Sequence, residues 1–308
     1  MSWPSPAYRL NAAGRALELG AKPCLMGVVN ASPDSFSDGG RYRTLADRIG
    51  LAAELLEAGA DIIDVGGESA STNRSPVDPA EEIERVVPLI ERLVGDFGAV
   101  VSIDTYKPVV AQAAVAVGAA IVNDVSGLRD LALAEVCAES GAALVVMHTS
   151  TAPKQRLQDA DLYGDIVEEV LRFLSERIAL ALQAGLDHEQ LIVDPGPDFA
   201  KTPTQTIELL ADVSRLHELG CPVLMAISRK DFIGALTSRA PRERLPGTLA
   251  ALAHGVDQGA HIFRVHDVAA AADFLTVRAA LAGESTPSRD LALAEELRYD
   301  RPVADVQP

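Results

Sequence analysis

Short runs of β-branched and other apolar residues alternate along this chain with longer stretches whose apolar positions return every three or four residues. The short runs, at residues 24–29, 61–65, 100–104, 120–123, 143–147, 191–194, 222–227 and 261–265, predict eight strands. The longer stretches predict helices over 44–58, 79–94, 108–117, 131–139, 163–184, 204–218, 232–238 with 249–258, and 269–281. Gly59, Gly118, Gly141, Gly185, Gly220 and Gly259 each stand just past a predicted helix, where a left-handed residue closes the last turn. The repeated order of strand, helix, glycine and strand is that of βα units. Eight units predict a (β/α)8 TIM barrel rather than an open sheet. Residues 1–23 are expected to cap the barrel bottom and 24–283 to form the barrel. Residues 284–308, charged and carrying Pro287, Pro302 and Pro308, are expected to be a loosely ordered tail with a short helix near 291–297.

A parallel barrel gathers the carboxyl ends of its strands on one face, so polar residues at those ends form a site even when far apart in sequence. Here the ends carry Asn30, Asp64, Asp104, Asn123, His148, Asp194, Ser228 to Lys230, and Arg264 to Asp267. After Asn30 the chain runs through Pro33, Phe36, Gly39 and Gly40, a loop too long for a simple connection. Asp104, Asn123 and Asp194 with Lys230 suit the edge of a flat, nitrogen-rich ring, because a carboxylate accepts two parallel N–H bonds from an amidine-like edge. Arg264 and His266, with Asn30 and the backbone of Gly39 and Gly40, suit a multiply charged oxyanion and a divalent cation held by oxygen. His148 is expected to orient a ligand from behind or to serve the structure.

Composition narrows the partners. The chain has 308 residues, 48% of them hydrophobic, enough for a large single core. A formal net charge of −17 disfavours nucleic acid and anionic membrane as partners, which makes clustered cations at the strand ends the more conspicuous. Cys24, Cys137 and Cys221 are odd in number and widely spaced, as expected of core thiols in a reducing, cytoplasmic compartment. No leader-like N-terminus and no apolar run long enough to span a bilayer is expected. The remaining histidines lack zinc spacing, and Val65-Gly66-Gly67-Glu68 lacks that of a dinucleotide fingerprint or P-loop.

At these strand ends the chain resembles the dihydropteroate synthase family, from about Leu25 to Leu281. The resemblance lies in Met26-Gly27-Val28-Val29-Asn30 with Pro33 to Gly40, in Gly59 to Ser69, and in Ser102-Ile103-Asp104-Thr105. It continues through Asn123-Asp124-Val125-Ser126-Gly127, Asp194-Pro195-Gly196, Ser228-Arg229-Lys230 and Arg264-Val265-His266-Asp267-Val268. It implies a reaction in which 4-aminobenzoate displaces diphosphate from a dihydropterin methyl diphosphate. It also implies that Asp104, Asn123, Asp194 and Lys230 hold the pterin beside Phe199, that Asn30, Arg264 and His266 hold the diphosphate, and that Asn30 meets Mg2+. Ser228 matches a residue near the aminobenzoate carboxylate, and a homodimer is implied. Two departures stand out. Where the family continues Gly-Glu-Ser with Ser or Thr and then Arg-Pro-Gly, this chain reads Ala70 to Pro76, so that Ser71 takes the arginine's place and Arg74 is the nearest guanidinium. Asp198 replaces a usual glycine, and as an added carboxylate near the pterin is expected to alter charge or affinity. A diverged paralogue that binds pterin without making dihydropteroate is the alternative these departures suggest. A pterin-dependent methyltransferase ranks last, having no use for Arg264 and His266.

Overall fold

The computed structural model describes residues 5–31, 44–69 and 75–298. It begins with a hairpin, β1 (Tyr8–Ala12) and β2 (Arg15–Leu19), followed by β3 (Cys24–Asn30), α1 (Leu45–Glu57), β4 (Ile62–Gly66), α2 (Pro79–Phe97), β5 (Val101–Asp104) and α3 (Pro108–Ala116). The second half runs through β6 (Ile121–Asp124), α4 (Ala132–Ser140), β7 (Ala143–Met147), α5 (Ile166–Gln183), β8 (Leu191–Asp194), α6 (Pro203–Ala211), β9 (Leu224–Met225), α7 (Asp231–Thr237), α8 (Leu245–Asp257), β10 (Ile262–Val265) and α9 (Val268–Leu281). β3 to β10 form one parallel sheet in the order β8-β7-β6-β5-β4-β3-β10-β9. The remaining seam, between β8 and β9, is bridged at Val193 and Val223, where the Val193 N–H donates to the Pro222 carbonyl at 3.0 Å. The result is the expected eight-stranded barrel.

Alternation along each strand divides the interior into two cores. Outward residues such as Val29, Ile63, Ile103, Val122 and Val146 pack beneath the helices. Inward residues at the strand starts, Met26, Ile62, Ile121, Ile192 and Ile262, fill the barrel with Leu10, Ala12 and Leu19 from the hairpin. The hairpin thus plugs the floor, further tied by the Ala13 N–H to the Gly141 carbonyl at 2.7 Å. With this floor apolar, the polar inward residues one and two steps further along the strands are raised to the opposite mouth.

Boundaries follow local chemistry. Thr44 and Asp47 form a capping box at α1, Thr202 and Gln205 form one at α6, and Asp78 and Asp165 cap α2 and α5. The six helix-ending glycines all have φ between 70° and 105°. Residues 8–19, for which no element was predicted, pair as strands. Two expectations change: the single predicted helix over 204–218 breaks at Asp212 (φ −123°) and goes on as a 3-10 turn, and near 291–297 only a 3-10 turn at Glu295–Leu297 forms, with Leu291, Leu293 and Leu297 exposed. The three cysteines are buried free thiols, and among the described residues no helix is long and apolar enough to cross a membrane.

Candidate active site

A cavity of about 560 Å³ opens at the carboxyl ends of the strands. Asn30, Asp104, Asn123, Asp194, Phe199, Ser228, Lys230, Arg264 and His266 all line it, so the structure brings together every predicted site residue that it describes. Arg74, Gly39 and Gly40 lie outside the described residues. Register explains the convergence. Gly66 pairs with Asp104, Asp104 with Asn123, and Met147 with Asp194, and each of these polar side chains falls on the inward parity of its strand.

The two chemical groups separated in the sequence are interlocked. Arg264 donates from Nε to Asp64 Oδ2 at 2.7 Å and from Nη2 to Asp104 Oδ2 at 2.8 Å, so one guanidinium bridges two carboxylates. Asn123 Nδ2 lies 3.3 Å from the same Asp64 oxygen. Asp64 is fully buried and underpins both neighbours; its strand-end place was legible, but its role needed the contact with Arg264, 200 residues away. Burial pushes the Asp104 carboxyl up to about 7, opposed by Arg264 and reinforced by Asp64, Glu82 and Asp124. Asp194, 2% exposed, is raised to about 6 by burial, although the Gly196 N–H bonds its Oδ1 at 2.7 Å and Lys230 lies near.

Lys230 Nζ sits 4.5 Å from the centre of the Phe199 ring, and burial lowers its pKa despite Asp198 and Asp194. Arg244, which sequence reasoning missed, orders the preceding turn by donating Nη1 to the carbonyls of Arg229 and Lys230 at 2.9 and 3.1 Å. Arg229 itself, at φ 58°, lines the cavity and makes a two-bond pair with Asp267. Ser228 Oγ accepts the His266 backbone N–H at 3.1 Å and lies 2.9 Å from His266 Nδ1, which fixes the ring at the mouth.

Asp198 lines the cavity and its charge acts on Lys230, and it also has a structural part. Its backbone is left-handed (φ 66°), a conformation that glycine adopts freely and aspartate tolerates. Its carboxylate accepts the Asp231 N–H at 2.5 Å and the Thr206 hydroxyl at 3.2 Å. Although it lines the cavity, it therefore straps the start of α7 to α6. Asp198→Ala is expected to cost about 1–2 kcal/mol of stability, with Asp198→Asn retaining most of it, as thermal unfolding would show. His148 is turned out of the cavity and packed against the Tyr163 and Phe173 rings.

Beyond Asp104 the wall holds Glu68, from the strand-end run after Asp64, and Glu82, which sequence reasoning missed, with Lys107 behind them. Lys107 Nζ bonds Glu68 at 2.6 Å, Glu82 at 2.5 Å and the Val77 carbonyl at 2.6 Å, and the Val77 N–H returns to Glu68 at 2.8 Å. Glu68 is lowered: burial works against its ionisation, but Lys107, the Val77 N–H and Lys154 overcome it. Lys154, on the loop after β7, also bonds the Ser69 carbonyl, and this loop contributes Thr151 to Gln158 to the cavity. No apolar period marks such a loop.

Among the described residues no group of three or more His, Cys, Asp or Glu could hold a metal ion. Asn30 offers a neutral amide oxygen at the mouth, beside Gly66 and Asp104. That donor fits Mg2+ only as one ligand among phosphate oxygens and waters, the arrangement this cation favours.

The barrel and the acidic, partly cationic cavity at its strand ends are those of an enzyme, and the chain belongs to the pterin binding enzyme family, whose model matches residues 26–266. It is 40% identical to the Escherichia coli dihydropteroate synthase over 292 residues, 95% of this chain and 100% of that protein. Two solved structures of the Xanthomonas albilineans dihydropteroate synthase are also similar. The one with 4-aminobenzoic acid is 44% identical, with a TM-score of 0.82 over 92% of this chain and 100% of the other. The one with 7,8-dihydropteroate is 43% identical, with a TM-score of 0.79 over 91% and 100%. Within its family the chain therefore falls among the dihydropteroate synthases, transferases of folate biosynthesis.

Proposed function

We propose that this chain joins 4-aminobenzoate to a dihydropterin methyl diphosphate through its own strand-end residues, in the following roles. Asp194 and Asp104, with Asn123 and Lys230, hold the pterin edge, and the Phe199 ring lies beside the pterin. Breaking the C–O bond sends its electron pair to the diphosphate and leaves positive charge spread over the pterin, which the two buried carboxylates stabilise. The amine nitrogen then bonds the exocyclic carbon and loses its proton to solvent or diphosphate. The Arg264 N–H groups not spent on Asp64 and Asp104, together with His266, meet the departing diphosphate. Mg2+, with Asn30 as its protein ligand, would supply further charge neutralisation there. Ser228 takes the aminobenzoate carboxylate, with Arg74 the candidate cation from the altered second loop.

The observation that carries this reading is the single cavity shared by Asp104, Asn123, Asp194, Lys230, Arg264 and His266. Purified protein given the pterin diphosphate, 4-aminobenzoate and Mg2+ is expected to yield dihydropteroate and diphosphate in equal amounts; no diphosphate release would overturn it. Pterin affinity should rise as pH increases from about 5 to about 7.5, because only the ionised forms of Asp194 and Asp104 accept both ring N–H groups, and then level off. A fluorescence titration across that range checks the sign. A homodimer and a cytoplasmic setting complete the reading, the latter supported by three buried free thiols.

A further inference from the structure

We infer that Lys201 is a positioning residue for the pterin wall, holding the turn after β8 so that Asp194 and Phe199 keep their aim. The inference rests on the function proposed above and adds a residue that touches no substrate. Lys201 is wholly buried, a costly place for an ammonium. Its Nζ donates to the carbonyls of Gly196 at 2.8 Å and Phe199 at 3.1 Å and meets His148 Nδ1 at 2.8 Å. One nitrogen thus ties both halves of the turn to the end of β7.

That turn needs a tie. Gly196, Asp198 and Ala200 all have left-handed backbones (φ 64°, 66° and 51°), and the two non-glycine positions carry strain that the surroundings must hold. The Gly196 N–H fixes Asp194 Oδ1, so the carbonyl and the amide of Gly196 are used from opposite directions by Lys201 and Asp194. Phe199, whose carbonyl Lys201 holds, carries the ring beneath Lys230. On the other side, a Cβ at Gly196 would lie 2.1 Å from the His148 carbonyl oxygen, so the turn cannot slide toward β7. Burial lowers the Lys201 pKa to about 7, with Asp194 opposing, so this tie persists at neutral pH without demanding a full counter-charge.

The test is Lys201→Met, compared with wild type for dihydropterin affinity, kcat, the KM for 4-aminobenzoate and Tm. The expected result is a dihydropterin dissociation constant raised about 10- to 100-fold with a fall in kcat, while the KM for 4-aminobenzoate moves less than about twofold. A folded variant of lowered Tm but wild-type pterin affinity and kcat would overturn the inference, leaving Lys201 a purely structural residue. If Lys201→Met does not fold, His148→Phe removes the ring nitrogen facing Lys201 together with Nε2, while keeping an aromatic ring against Tyr163 and Phe173. A loss of pterin affinity without a change in the KM for 4-aminobenzoate then supports the inference, and unchanged affinity overturns it. Wild-type protein that binds no dihydropterin would instead overturn the proposed function, which keeps the two failures apart.

Discussion

Asp194→Asn is expected to lower kcat/KM by about 10³-fold or more while leaving the fold as stable as before, or more so, above neutral pH. The loss arises because an amide presents a donor where the pterin edge also donates, and a buried site made for paired hydrogen bonds penalises a mismatch heavily. Stability moves the other way for an electrostatic reason. Burial raises the Asp194 pKa to about 6, above its ordinary value of 3.8, so the folded protein holds this proton more tightly than the unfolded chain does. The contribution is fully present below about pH 4 and is lost as pH rises through about 6. The variant escapes that penalty. Its stability advantage, on the order of 1–3 kcal/mol at pH 8, should shrink to near zero at pH 4, and denaturant unfolding at the two pH values checks it. A variant that lost stability at pH 8 and kept its activity would contradict this account of the site.

Arg264→Met should lose both activity and stability. It strands two carboxylates around one missing guanidinium, one of them fully buried, and breaking such a cluster costs about 3–5 kcal/mol. A drop in Tm on the order of 10 °C near pH 8 is expected, and a smaller one near pH 5, where Asp104 takes up a proton. Adding Asp64→Asn to Arg264→Met should return part of the stability but none of the activity, because the two residues are coupled by direct contact. Arg264→Lys should rescue little, since a single ammonium cannot reproduce the planar bridge between Asp64 and Asp104.

Much of this architecture was legible in the sequence because its eight strands are short, apolar and punctuated by glycine. The parity of polar residues at their ends then followed from a two-residue period, which is why Asp104, Asn123, Asp194 and Arg264 were found before their contacts were known. The hairpin was missed although its signals are present. Ala13 and Gly14 both have positive φ, as a two-residue turn needs, and Leu10, Ala12, Leu17 and Leu19 repeat every second position. The helix expected over 204–218 failed where Asp212 departs from helical angles, a local break that the apolar period ran straight through. Pairings across the barrel were beyond any periodicity. The bridge by Arg264 depends on residues that meet only after the sheet has curved round, while the tie by Lys201 and the support from Arg244 are side-chain contacts to nearby turns that leave no periodic mark. Asp198 adds a part that its charge did not announce: besides facing the cavity and Lys230, it holds two helices together.

The knot formed by Glu68, Lys107 and Val77 has a consequence for how this enzyme can change. Because Glu68 is bound to the Val77 amide and both are clasped by one ammonium, the chain leaves and rejoins the barrel wall at two stitched points only nine residues apart. The two described ends of that interval are thus held by the scaffold itself, whatever sequence joins them. Natural variation, or a library constructed there, can explore new acceptors while the platform beneath remains unaltered.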